Sequence, residues 1–163
     1  MFPIIFWKKI QEHKWKHKVT TIEREVLTML YKDKYMKKSK KVTISLNAYN
    51  ERYPVVNKSL YLGLLDKDGC SYADITICPA YDYPYIPPFH AFLNTYDLPD
   101  IRKFVEKYHL GKFTGKVGTF GLCTYPLYRF DPEKLKKLCP NEFKEFFGRN
   151  YEELKHTYKV CFS

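Results

Sequence analysis

The chain has 163 residues, 45% of them hydrophobic and 18% aromatic, enough to bury one core of ordinary size and too apolar for intrinsic disorder. Its net charge of +10 is uneven, because residues 1–41 hold 12 Lys and Arg against 4 acids while residues 42–163 hold 16 against 14. Such asymmetry predicts a basic arm attracted to a polyanion: nucleic acid, a nucleoprotein, an acidic protein surface or anionic lipid.

In chain order, the apolar opening from Met1 to Trp7 lacks a preceding positive region and leads into Lys8 and Lys9. It reads as neither a signal peptide nor a membrane span, and its expected role is packing on the domain. Lys8 to Lys18 reads as a loose helix or extended arm. Thr20 and Glu23 form a capping-box pattern, and Ile22, Val26, Met29 and Leu30 share one face of a helix predicted over 21–37. Met36 with the basic run that follows it has the look of an ordinary protein start.

From Val42 to Ala48 apolar and polar residues alternate, as in a strand with one buried face. Strands over 59–65 and 70–77 flank Asp66-Lys67-Asp68-Gly69, whose glycine suits a hairpin loop. These segments predict a three-stranded antiparallel meander. The proline- and tyrosine-rich stretch 79–88 predicts a surface loop, and His90 to Thr95 a short strand or turn. A helix follows over 99–109, with Pro99 at its start and Gly111 as its stop. The glycines between 111 and 121 read as turns, leading into a strand over 122–130 that Pro126 places at an edge or a bulge. Short helices are predicted from Asp131-Pro132 and from Cys139-Pro140, and 150–160 reads as a final helix or docking segment.

Together these elements predict an α+β fold. A small antiparallel sheet, the meander plus a strand near 122–130, packs with several helices over residues 42–163, which end in an aromatic helical extension. Residues 1–41 form a basic N-terminal arm and helix. Five scattered cysteines, Cys70, Cys78, Cys123, Cys139 and Cys161, have no CxxC spacing and read as reduced thiols, which implies a cytoplasmic setting.

The motifs that carry chemistry elsewhere are incomplete here. The glycine run has neither a P-loop nor a dinucleotide-binding pattern, so turn formation is favoured over anion binding. Cys123 with His90 or His109 is a nucleophile and base only if the fold brings them together. His13 and His17 share a helix face but are too few to form a metal site, and Asp66 and Asp68 lack the other ligands of a calcium loop. No cofactor, metal or catalytic residue is expected. Cations interleaved with aromatics in Lys8 to Lys18 fit a nucleic-acid surface, where cations neutralise phosphates and rings stack on bases.

The run Leu110-Gly-Lys-x-Thr-Gly-x-x-Gly, then Gly121-Leu-Cys-Thr-Tyr-Pro-Leu-Tyr-Arg-Phe130-Asp, together with the strand at Val42 and the hairpin at Asp66, resembles an uncharacterised family. Its members are small domains of unknown function carried on conjugative elements, plasmids and phages of gut and oral bacteria. The resemblance covers residues 42–135 and implies no catalytic residues.

Small proteins of mobile elements without enzyme motifs often disarm host defence. The first functional expectation is therefore a non-enzymatic, anti-CRISPR-like inhibitor in the cytoplasm of a bacterial host, blocking a nucleic-acid-guided nuclease or similar nucleoprotein. Lys8, Lys9, Lys14, Lys16, Lys18, Lys37, Lys38, Lys40 and Lys41 would supply attraction, and Trp15, Tyr83 and Tyr85 would be contact anchors. The second expectation is a DNA- or RNA-binding accessory protein of a mobile element, and the third an enzyme using Cys123.

Overall fold

The computed structural model describes residues 27–48, 60–78 and 86–148. They form two antiparallel sheets of four strands and three short helices, an α+β arrangement.

The first sheet contains the predicted meander. Val42, Ile44 and Leu46 of β2 (Lys40–Ala48) are buried while Lys41 and Asn47 are exposed, the period of two that a half-buried strand requires. Strand β2 pairs with β3 (Leu60–Leu65), and β3 pairs with β4 (Ser71–Asp74). The hairpin between β3 and β4 is closed by Asp66, whose Oδ1 accepts from the amides of Asp68 and Cys70 at 2.9 and 3.0 Å, with Gly69 at φ 77°. These side-chain-to-amide bonds hold the Asp66 carboxyl below the usual carboxylate range. The expected strand over 70–77 divides at buried Ile75. Its amide donates to Leu62 in β3, and its carbonyl accepts from Asn94, so the chain passes there from one sheet to the other.

The helix predicted over 21–37 is corrected where it is described. Met29–Tyr31 is strand β1, paired antiparallel with β2, with Met29 opposite Val42 and Tyr31 opposite Lys40. Met29 and Tyr31 are buried and Leu30 is exposed, so these residues follow the strand period. The free edge of β2 supplies hydrogen bonds that an isolated amphipathic segment does not see. The remainder of that predicted helix, up to residue 26, lies outside the described residues, as do residues 79–85 of the tyrosine-rich loop and the tail beyond 148.

The second sheet has the order β5-β6-β8-β7, with β5 (Thr76–Ile77), β6 (His90–Leu93), β7 (Gly111–Phe120) and β8 (Cys123–Phe130). Two expectations are corrected here. The glycine run 111–121 is chiefly the strand β7 rather than a series of turns. Only Gly115, at φ 82° in a bulge, and Gly121, at φ 59° in the hairpin turn, use the left-handed freedom of glycine. Gly118 stays in the strand because Phe92 lies across it, and a Cβ there would stand 2.7 Å from the Phe92 ring. Strand β8 is central, so of the two settings expected for Pro126 the bulge is the one present, and the strand belongs to the second sheet rather than the meander. Pro126 is tolerated because β6 pairs only with Leu127 to Arg129, and because the β7–β8 register shifts between Phe113 and Val117.

Helix α1 (Ile101–Lys107) ends before the expected Gly111. His109 takes the left-handed position at φ 52°, donating from its amide to Glu106, while the Leu110 amide donates to Val105, the paired bonds of a Schellman stop. Gly111 instead opens β7, where a side chain would meet the Arg129 carbonyl at 2.8 Å. Helix α2 (Pro132–Leu138) is capped by Asp131, which accepts from the amides of Glu133 and Lys134, with Pro132 in the first turn. Helix α3 (Pro140–Phe147) buries Phe143 and Phe147 and packs on β2. Buried Cys139, between α2 and α3, donates its thiol to the Ile44 carbonyl at 3.2 Å.

One core unites both sheets and the helices. It includes Val42, Leu62, Leu64, Ile75, Ala91, Leu93, Tyr128 and Phe130, and it leaves out Phe92 and Leu127. Residues opposite each other in an antiparallel pair share a face. On β8 alone, Tyr128 and Phe130 therefore face the core, while Leu127 and Arg129 face outward.

Candidate nucleic-acid interface

The outer face of the second sheet carries the most distinctive surface chemistry among the described residues. Its register places His90, Arg129 and Lys112 abreast on neighbouring strands, then Phe92 beside Leu127, then Tyr125 beside Gly118, and Cys123 beside Phe120. A groove of about 730 Å³ lies over the first of these rows. Its apolar lining includes buried Phe92 and Leu127 and exposed Val117, and its charged groups are Lys112, Lys116 and Arg129, with buried His90 among them. Among the described residues lining it there is no carboxylate.

Each cation reaches the groove for a local reason. Lys112 and Arg129 are cross-strand partners on β7 and β8. Lys116 comes to it at the β7 bulge, which is held by Thr114: its hydroxyl donates to the Leu127 carbonyl at 2.9 Å and accepts from the Lys116 amide at 3.2 Å. One rim is a tight turn in which the His90 amide donates to the Pro87 carbonyl at 3.1 Å. The third residue of that turn, Phe89, has φ 62°, a conformation usually left to glycine and costing a bulky residue roughly 1–3 kcal/mol. Burial repays it: the Phe89 ring sits 4.6 Å from that of Phe147, and its carbonyl accepts the Phe130 amide at 2.7 Å.

His90 is 3% exposed and its Nδ1 donates to the Pro88 carbonyl at 2.8 Å. Burial, with smaller contributions from Arg129 and Lys116, pushes its pKa below the ordinary value of 6.5 despite that bond. The unfolded chain therefore takes up a proton near pH 6.5 that the folded chain refuses. The stability that neutral His90 contributes is fully present above that pH and is lost as pH falls from there through its lowered folded value. We expect denaturant midpoints to drop between pH 7.5 and 5.5, and to drop less for His90→Asn. Equal losses in both would refute the assignment.

A second cavity, of about 670 Å³, opens beside the start of β7. There Glu106, Asp131 and Glu133 stand with Lys112, His109 and Arg129, so its charges offset one another and favour no anion. Beneath it Tyr128, fully buried, donates to Glu106 at 2.8 Å and accepts from Arg102 Nε at 3.0 Å.

Of the residues singled out from sequence, Lys8, Lys9, Lys14, Trp15, Lys16, Lys18, Tyr83 and Tyr85 lie outside the described residues, with His13 and His17. Lys37 and Lys38 are exposed in the loop before β2, Lys40 stands 3.9 Å over the Tyr72 ring, and Lys41 is exposed on β2. None of these four lines the groove. Cys123 and His90 are not brought together: Cys123 is six residues along β8 from Arg129, the partner of His90, which is roughly 20 Å of strand. Among the described residues, no three His, Cys, Asp or Glu side chains are grouped to hold a metal, and no helix is long and apolar enough to cross a membrane.

Sequence reading missed Lys112, Lys116 and Arg129. Lys112 and Lys116 were hidden by reading the glycines as turns, and the bulge in β7 breaks the alternation that would have marked it as a strand. Arg129, on β8, lies in a segment that reads as a strand but whose partners the sequence does not give. These strands also lie within the span that defines the chain's kinship, since the family model of a domain of unknown function, DUF4313, matches residues 43–151. The chain belongs to the DUF4313 family. No curated protein and no solved structure matches it. The DUF4313 span begins inside β2 and takes in every strand after it and all three helices, so the whole groove lies within the family domain.

Proposed function

We propose that this protein is a non-catalytic nucleic-acid-binding module that holds the phosphate backbone in the groove on the outer face of its second sheet. The observation that carries the reading is the lining: Lys112, Lys116 and Arg129 converge there, and no described lining residue is acidic. A polyanion neutralised at such a site releases its counterions, which makes binding strong at low salt and weak at high salt. The excess of basic residues over 1–41 adds attraction of the same sign and range.

The accessory role for a mobile element fits this reading directly. A second reading, the inhibitor of a nucleic-acid-guided nuclease, would use the exposed apolar residues of the β7–β8 hairpin, Val117 and Leu122, as protein contacts beside the groove.

One titration tests both. Anisotropy of labelled DNA and RNA oligonucleotides with the full chain should show affinity falling by at least about tenfold between roughly 50 and 200 mM salt. Absence of binding, or affinity indifferent to salt, would overturn the first reading. A partner bound through protein contacts would hold most of its affinity over the same range.

A further inference from the structure

Resting on the proposed groove, we infer that the same face is a stacking platform and that the protein selects single-stranded over duplex nucleic acid. Beyond the cations, the outer face continues along β8 to Tyr125, whose ring stacks on Phe120 with centroids 5.4 Å apart and planes 24° from parallel. Phe120 is braced edge-on by buried Phe92, at 5.1 Å and 83°, so the pair has a rigid support. Both rings are only partly buried.

Tyr125 and Arg129 are four residues apart on one strand and point to the same face, a separation of roughly 13 Å. Phosphates held at Lys112, Lys116 and Arg129 would leave the adjoining part of the strand over the rings. The charge pattern agrees with that polarity. Two residues past Phe92, the partner of Leu127, Asn94 donates to Asp97 Oδ2 at 3.0 Å, so the strand next to β8 leads away from the cations towards an acidic group, and phosphate is favoured at the cationic end and bases at the aromatic one. Paired bases in a duplex spend their ring faces on each other, and only unpaired bases can offer a face to a side chain. A platform of this kind therefore adds affinity for single strands and none for duplex.

The test compares a single-stranded oligonucleotide, its duplex and inorganic polyphosphate at one salt concentration, for the full chain and for Tyr125→Ala and Tyr125→Phe. The expected result is tighter binding of the single strand than of the duplex. Tyr125→Ala should weaken the single strand roughly tenfold while changing the duplex and polyphosphate by less than about twofold, and Tyr125→Phe, which keeps the ring, should behave as the parent does. Thermal melts of both variants check that the sheet is intact. Equal affinity for single strand and duplex, or a loss in Tyr125→Ala shared by all three ligands, overturns the inference while leaving the cationic groove standing. Failure to bind any nucleic acid removes both.

Discussion

Changing Lys112 and Lys116 together to Glu lowers affinity for single-stranded DNA and RNA by roughly tenfold to thirtyfold, and reduces the slope of log affinity against log salt by about 1.4, two phosphate contacts at about 0.7 each. Both side chains are exposed and neither is buried in the core, so the fold should tolerate the change and circular dichroism should be unaltered. The slope is the decisive readout, because it counts phosphate contacts, whereas a loss of affinity alone would also follow from general loss of positive charge. Reversing Lys37 and Lys38 removes the same charge from a loop that does not line the groove and serves as the control. If the two double variants lose affinity and slope equally, binding is diffuse and the groove is not its site.

Replacing Asp33 with Ala lowers the stability of the fold by about 3 kcal/mol, because several groups lose their acceptor together and each costs roughly 1 kcal/mol or more when left unpaired. Asp33 is 5% exposed. Its Oδ2 accepts from the Tyr31 hydroxyl at 3.1 Å and from the Asp100 amide at 3.3 Å, and its Oδ1 accepts from the Tyr35 amide at 3.2 Å. Burial, then the bond to Asp33, pushes the Tyr31 phenol well above its ordinary range. The carboxylate thus ties the loop after β1 to the start of α1, and Asp100 returns the contact by accepting the Lys34 amide at 2.8 Å. In a chain of this length the loss corresponds to a melting temperature lower by about 6–12 °C. Asp33→Asn, which keeps one acceptor oxygen, should lose less. A melting temperature within about 2 °C of the parent for Asp33→Ala would show that water replaces the carboxylate and that the network is not structural.

What the sequence determined by itself is local. Strand β2 was legible because Val42, Ile44 and Leu46 alternate with polar residues. The hairpin at Gly69 and the start of α2 at Asp131-Pro132 were legible because each depends on bonds within a few residues. Membership of an uncharacterised domain family was legible in the sequence, and the family match over residues 43–151 bears it out. Tertiary structure decided the rest. Met29 to Tyr31 satisfies either a helical or a strand pattern, and the unpaired edge of β2 selects the strand by completing its ladder. Gly111 and Gly118 look like turn residues in isolation, yet they are strand glycines because a backbone and a Phe92 ring press against them. His109 and Phe89 take the positive φ that sequence rules give to glycine, because hydrogen bonds and burial on either side outweigh the strain. The groove exists only when three strands bring Lys112, Arg129 and His90 into one row, a juxtaposition across 39 positions of chain that no local pattern encodes.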